Sequence, residues 1–159
     1  MFKIITNREV GPGIFQLVLH YDQLPQNPEP GHFFNIKVSQ NGSDDPLLRR
    51  PFSIFDFDGA EKTIEFIYRV VGKGTKILSE TGVGSKLDVL GPLGTPFSLA
   101  DAKGNVDLIG GGMGIAPLYY LAKKLKSCSQ TVYLGAANGA ELEFFKEKFE
   151  DLGVSTHLA

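Results

Sequence analysis

Cysteine is nearly absent from this 159-residue chain, where Cys128 stands alone. No disulfide can form within it, and no cluster held by several thiolates can be ligated from its own residues, a usage that suits a reducing, cytoplasmic compartment. Long apolar runs are missing as well. The opening stretch Met1-Phe2-Lys3-Ile4-Ile5-Thr6-Asn7-Arg8-Glu9 is broken by charge before a signal-peptide core could build up, and no run approaches the roughly 20 residues of a membrane helix. Neither targeting nor a membrane partner is expected. Charge of one sign is not in excess either: 16 basic and 18 acidic residues give a formal net charge of -2. That balance supplies no extended positive field against a phosphate backbone, so nucleic acid is not an expected partner. His20, His32 and His157 fall far apart without ligand spacing, so no metal site is expected, and no Ser-His-Asp or Cys-His arrangement supports hydrolysis.

What is present divides into two stretches with different periods. Up to about residue 99, the segments 15–19, 33–38, 63–71 and 86–90 are β-rich runs, several of them alternating with period two. Turn residues at 11–13, 28–31, 41–46 and 58–59 separate them. The pattern predicts a small antiparallel barrel or sandwich, interrupted by one short helix over 75–81 that starts on the glycines at 72 and 74. Beyond residue 100 the spacing predicts a strand over 106–109, a helix over 115–126 and a strand over 131–135. A helix over 140–152, with Leu142, Phe145 and Phe149 at helical spacing, and a strand beginning at 154–156 follow. This is a βαβαβ unit on a parallel sheet.

The fold class is therefore a two-domain one, an antiparallel β-barrel over 1–99 followed by a partial α/β parallel-sheet domain over 100–159. A doubly wound dinucleotide-binding sheet normally has five or six strands, and here the sequence ends as the third begins. An unpaired edge and an uncovered apolar face would then favour self-association or poor order beyond about residue 135. Tyr119-Tyr120 and Phe144-Phe145 are expected to pack helices against the sheet, and Lys123, Lys124 and Lys126 to form a solvated helix face.

Three short segments carry chemistry. In Arg50-Pro51-Phe52-Ser53 the arginine can hold a phosphate in a bidentate fork and the proline fixes the turn behind it. The aromatic can lie against a flat ring, and the serine can donate to a ring heteroatom. Taken alone, the tetrapeptide also fits an ordinary strand start with a solvated arginine. Gly72-Lys73-Gly74-Thr75 adds a glycine loop at a helix start, where a diphosphate can take backbone hydrogen bonds worth on the order of 1.5–3 kcal/mol each. An isolated Gly-x-Gly can equally be a turn. Gly110-Gly111-Gly112-Met113-Gly114 follows a predicted strand and opens a predicted helix, the context in which a backbone can approach a pyrophosphate, and Pro117 fits that helix's first turn. Its spacing departs from the common Gly-x-Gly-x-x-Gly pattern, and a close-packed turn without a ligand is the alternative.

Taken in order, Leu48-Arg49-Arg50-Pro51-Phe52-Ser53-Ile54, Ile67-Tyr68-Arg69-Val70-Val71-Gly72-Lys73-Gly74-Thr75 and Gly110-Gly111-Gly112-Met113-Gly114-Ile115-Ala116-Pro117-Leu118 resemble the ferredoxin-reductase family of flavoproteins. Within that family they are most similar to the electron-transfer subunits of B-type dihydroorotate dehydrogenases. The resemblance implies an FAD-binding barrel followed by an NAD(H)-binding α/β domain. It implies that Arg50 holds an FAD phosphate, that Pro51, Phe52 and Ser53 flank the flavin ring with Ser53 near its N5 edge, and that Ile67, Tyr68 and Arg69 line the cofactor. Gly74 and Thr75 would bind the diphosphate, and Gly110, Gly111, Gly112, Met113 and Gly114 would meet the NAD(H) pyrophosphate. No catalytic side chain is implied.

The partner implied is an FMN-containing catalytic dihydroorotate dehydrogenase subunit in a hetero-oligomer serving pyrimidine biosynthesis, with electrons passing through a [2Fe-2S] cluster to FAD and on to NAD. The four cysteines that ligate that cluster in the family have no counterpart here, which implies a chain shortened at its C-terminal end. Two alternatives stand beside this reading: a related NADH-dependent ferredoxin or hydrogenase reductase subunit, and a flavin-binding module without turnover.

Overall fold

The alternating apolar residues of the first stretch point to a common interior. In the computed structural model, which describes residues 1–39, 45–100 and 102–159, Ile4, Leu17, Leu19, Ile64 and Phe66 are all fully buried. They lie on β1 (Phe2–Gly11), β2 (Ile14–Tyr21) and β6 (Thr63–Arg69), which pair antiparallel. With β5 (Asp56–Asp58) and β7 (Lys86–Leu87) these form a five-stranded sheet in the order β5-β6-β2-β1-β7. A second sheet, β4-β3-β8, is built from β3 (Phe33–Ile36), β4 (Arg50–Ser53) and β8 (Val89–Leu93). The run predicted over 86–90 is thus two strands, and the chain passes between sheets at Asp88, joining them around one core. Phe34, Phe52 and Phe66 meet edge to face there, with Phe66 5.9 Å from Phe34 and 6.3 Å from Phe52 between ring centroids. At Gly91 a side chain is impossible, since a Cβ would lie 2.2 Å from the Phe34 ring.

The short helix α1 (Lys73–Ser79) begins two residues earlier than its apolar residues suggest, with Gly72 at its N-cap. The predicted turn over 41–46 lies outside the described residues as far as residue 44.

The second stretch forms β9 (Asn105–Gly111), a 3-10 turn at Gly112–Ile115, α2 (Ala116–Lys124), β10 (Ser129–Gly135), α3 (Gly139–Asp151) and β11 (Ser155–Leu158). The strands are parallel in the order β11-β10-β9. Leu108, Val132 and Leu134 on one face of this sheet pack beneath Leu121, Ala122, Phe145 and Phe149 of the two helices. Burying each phenylalanine there stabilises the fold by about 1.5–3 kcal/mol. The other face is bare: Ile109, Tyr133 and His157 lie in register across it, Ile109 78% exposed and Tyr133 stacked on His157.

Barrel and α/β unit share their second core. Ile14, Phe55 and Ile67 point out of the barrel into the α2–α3 layer. Phe55 stacks on Tyr119 with centroids 4.3 Å apart, and the Tyr120 hydroxyl donates to the Pro28 carbonyl at 3.1 Å. The tyrosine pair therefore packs α2 against the barrel, where the sequence had suggested its own sheet. Lys123 departs from the expected solvated face too, because its ammonium sits 2.6 and 2.7 Å from the two carboxylate oxygens of Asp56 on β5. No helix among the described residues is long and apolar enough to cross a membrane.

Candidate functional site

Two arginines enter β4 and meet different fates. Arg49 is engaged by Asp88, at 2.5 Å to the carboxylate and 2.8 Å to the carbonyl. Arg50 has no carboxylate partner among the described residues and steadies itself on the Leu48 carbonyl at 2.7 Å. Against it lies the start of α1. A Cβ at Gly74 would be 3.1 Å from both Arg50 Nε and Val38 Cγ2, so the missing side chain is what lets helix and arginine touch. Thr75 is turned to the loop itself: its hydroxyl accepts from the amides of Val71 at 2.9 Å and Gly72 at 3.2 Å. It rigidifies the approach to α1 and leaves ligand contact to the backbone.

Beside these groups is an open hollow of about 330 Å³, lined by Arg50, Pro51, Phe52, Ser53, Ile67, Tyr68, Arg69, Val71 and Thr75 from the barrel side and by Met113 and Ala116 from the α/β unit. Two other hollows, of about 400 and 380 Å³, gather none of the cofactor-binding residues expected from the sequence, so the chemistry of the lining selects this one and size does not. Alternation along β4 turns Pro51 and Ser53 outward to the opening. Phe52 has the opposite phase. Only 7% exposed, it lies edge-on to Tyr68, with centroids 5.5 Å apart, so it offers the hollow a floor instead of the free ring face expected of it. Tyr68 is buried as well, and its hydroxyl donates to Asn7 at 3.1 Å. Burial is the main cause that raises its pKa above the ordinary phenol value.

The five residues of the second glycine segment separate by role. A Cβ on Gly110 would sit 2.8 Å from Leu118 Cδ1 and 3.1 Å from Ile115 Cα, so this glycine is required by close packing of β9 on α2. Gly112 adopts a φ of 52°, a left-handed conformation that favours glycine. Gly114 faces open space within 4 Å, and Gly111 lies next to Gly135 at the carboxyl ends of paired strands. Carboxyl strand ends are where open α/β sheets take ligands. Met113 leaves this group and reaches the barrel's hollow.

A residue that borders the hollow through Arg69 escaped the sequence reading. Glu141, in the first turn of α3, is fully buried and ion-paired to Arg69 of β6. Its amide donates to the Asn138 side chain at 2.9 Å, the N-cap of the helix. The signal was available, since Glu141, Phe145 and Phe149 form one i, i+4 stripe, and an acid on an otherwise apolar stripe requires a buried partner.

No family model matches the chain. It is 39% identical over 160 residues to the electron transfer subunit of dihydroorotate dehydrogenase B (NAD(+)) from Shouchella clausii, covering 98% of this chain and 60% of that protein. The subunit of the same name from Enterococcus faecalis is 38% identical over 163 residues, covering all of this chain and 60% of that one. The chain thus spans about three-fifths of the length of these relatives. Among solved structures, an NADH-dependent reduced ferredoxin-NADP oxidoreductase superposes with a TM-score of 0.83 at 31% identity over 99% of this chain and 56% of that one. Phthalate dioxygenase reductase shares the fold with a TM-score of 0.78 at 22% identity, over 99% of this chain and 50% of its own. With this order of antiparallel barrel and parallel α/β unit, the chain shares the fold of the ferredoxin-reductase-type structures, and along its whole length it is similar to about three-fifths of the length of the electron transfer subunits of dihydroorotate dehydrogenase B.

Proposed function

We propose that this chain is the FAD-binding part of an electron-transfer subunit, passing electrons between a partner dehydrogenase that oxidises dihydroorotate and NAD. Residues 1–99 form its flavin domain and 100–159 its nicotinamide-binding domain. The observation that carries the reading is the hollow at their seam, where an arginine without a carboxylate partner among the described residues, an outward serine and a helix start cleared by glycine converge.

These groups fit FAD by their chemistry. Arg50 holds a phosphate, and the backbone at Gly74 and Thr75 takes the diphosphate. Pro51 and Ser53 border the ring with Ser53 at the N5 edge, Phe52 floors it, and Ile67, Tyr68 and Arg69 line its side. Bound FAD would supply the hydride and single-electron chemistry; the chain's own residues bind it, orient it and limit water around it. Gly111, Gly112 and Gly114 leave room for the NAD(H) pyrophosphate, with Gly110 maintaining the turn and Met113 facing the flavin side. The partner is an FMN-containing catalytic subunit in a cytoplasmic hetero-oligomer of pyrimidine biosynthesis, and a [2Fe-2S] cluster belongs to the longer relatives, since one cysteine cannot ligate it.

A second reading, an NADH-dependent ferredoxin reductase subunit, is favoured by the TM-score of 0.83 to the ferredoxin-NADP oxidoreductase. Both share the flavin site and differ in partner. The test is FAD uptake followed by anaerobic NADH titration. Bound flavin that NADH bleaches supports the full reading, bound flavin that NADH leaves oxidised limits the chain to a flavin-binding module, and failure to take up FAD overturns it. Arg50→Ala is expected to weaken FAD binding about 10- to 100-fold, the loss of one or two charge-assisted hydrogen bonds, with an unchanged circular dichroism spectrum.

A further inference from the structure

The pair Arg69–Glu141 joins the two units at the edge of the hollow. Glu141 is fully buried; its Oε2 meets Arg69 Nη2, and its Oε1 has no hydrogen-bond partner among the described residues. Arg69 is about one-third exposed and lines the hollow. Taking a carboxylate out of water is costly unless a cation and fixed dipoles compensate it. Here the compensation comes from the guanidinium and from the positive N-terminal end of α3, on whose first turn Glu141 lies. A second ion pair crosses the same seam between Lys123 and Asp56, but it borders a different part of β6. Asp56 pairs with Glu65, four residues before Arg69 along the strand, a span of roughly 13 Å, and neither Asp56 nor Lys123 is among the residues that line the hollow. One seam pair therefore places a charge in the wall of the hollow and the other does not.

We infer that Glu141 is a positioning residue for the flavin site: from the α/β unit it holds Arg69 in place and cancels its charge, so that, among the described residues, the hollow presents Arg50 as its one arginine without a carboxylate partner. The inference rests on the flavin reading for its consequence. Neutralising Glu141 frees the Arg69 charge, which strengthens binding of anions in the hollow and favours the more negatively charged reduced flavin over the oxidised one.

The test compares Glu141→Gln, Glu141→Asp and Asp56→Asn with the unaltered chain, by calorimetric titration with inorganic pyrophosphate and by the midpoint potential of bound FAD in dithionite titration against a reference dye. Glu141→Gln is expected to bind pyrophosphate roughly threefold to tenfold more tightly. It is also expected to shift the flavin equilibrium toward the reduced form by up to about tenfold, some 30 mV for a two-electron couple. Glu141→Asp keeps the charge one methylene further from Arg69 and should fall between, which preserves the test if the glutamine variant does not fold. Asp56→Asn should lower Tm while moving neither quantity. FAD bound normally, with pyrophosphate affinity and potential unaltered in both Glu141 variants, overturns the inference and leaves the flavin reading standing. Tighter pyrophosphate binding in a chain that takes up no FAD supports the charge cancellation and overturns the flavin reading instead.

Discussion

The two glycine segments look alike on paper and differ in what stands where a side chain would be. At the barrel's loop the missing Cβ of Gly74 is replaced by a candidate ligand-binding group, Arg50 Nε at 3.1 Å. At the strand end of the α/β unit the duty is divided, because Gly110 is crowded by its own helix while Gly114 faces open space. A glycine-rich sequence therefore does not by itself identify a ligand cradle. What occupies the position of its absent side chain distinguishes packing, positioning and vacancy.

The contrast can be broken most forcefully at Gly110. Gly110→Ala forces a methyl against Leu118 and the Ile115 backbone, and should cost about 1–3 kcal/mol, read as a lower midpoint in urea unfolding. An unchanged midpoint would remove the packing role. Next comes Gly74→Ala, in which the added methyl displaces the Arg50 side chain. FAD affinity should fall roughly tenfold, about 1.4 kcal/mol, with Tm nearly constant because alanine also favours the helix. If Tm collapsed and affinity held, the two segments would be alike after all.

A smaller, pH-dependent effect separates electrostatic from steric cost on the barrel. Glu65 accepts a hydrogen bond from Gln16 at 2.6 Å, and desolvation raises its pKa above the ordinary glutamate value. An acid raised on folding binds its proton more tightly in the native state, so stability is lost as pH rises from the ordinary carboxylate range through the raised value. Glu65→Gln should raise Tm modestly at neutral pH, the gain fading toward pH 4; a gain that persists in acid would assign it to something other than charge. The smallest change in stability is expected at Gly114→Ala, which meets nothing within 4 Å. Its Tm should stay put while NADH binding weakens, and undiminished NADH affinity would make Gly114 a spacer.

The parts legible in the sequence were those with an uninterrupted period. Leu142, Phe145 and Phe149 announced α3, and the apolar strands of the α/β unit announced a parallel sheet. Strand β1 was not recognised, although it pairs with β2 and β7 in the barrel's larger sheet. Irregularities between Ile4 and Thr6 and between Glu9 and Gly11 break its alternation, and Lys3, Arg8 and Glu9 make it look like a polar terminus. β4 was hidden differently, since its four residues are too few for a period and fitted both a strand start and a binding motif. The phase of Phe52 depended on pairing with Phe34 across β3, which no local pattern encodes. Glu141 and the salt-bridged Lys123 required knowledge of the seam, because their partners lie 72 and 67 residues away.

That seam also limits how such proteins can be recombined. Ile14, Phe55 and Ile67 complete a core whose remaining members lie after residue 100, so a barrel grafted onto a foreign nucleotide module would carry three apolar side chains without their sockets. The module, for its part, would lose the ring on which Tyr119 stacks. Exchange between relatives should succeed only when both sides of this contact travel together, and a chimaera joined near residue 100 needs Phe55 and Tyr119 matched before its cofactors are considered.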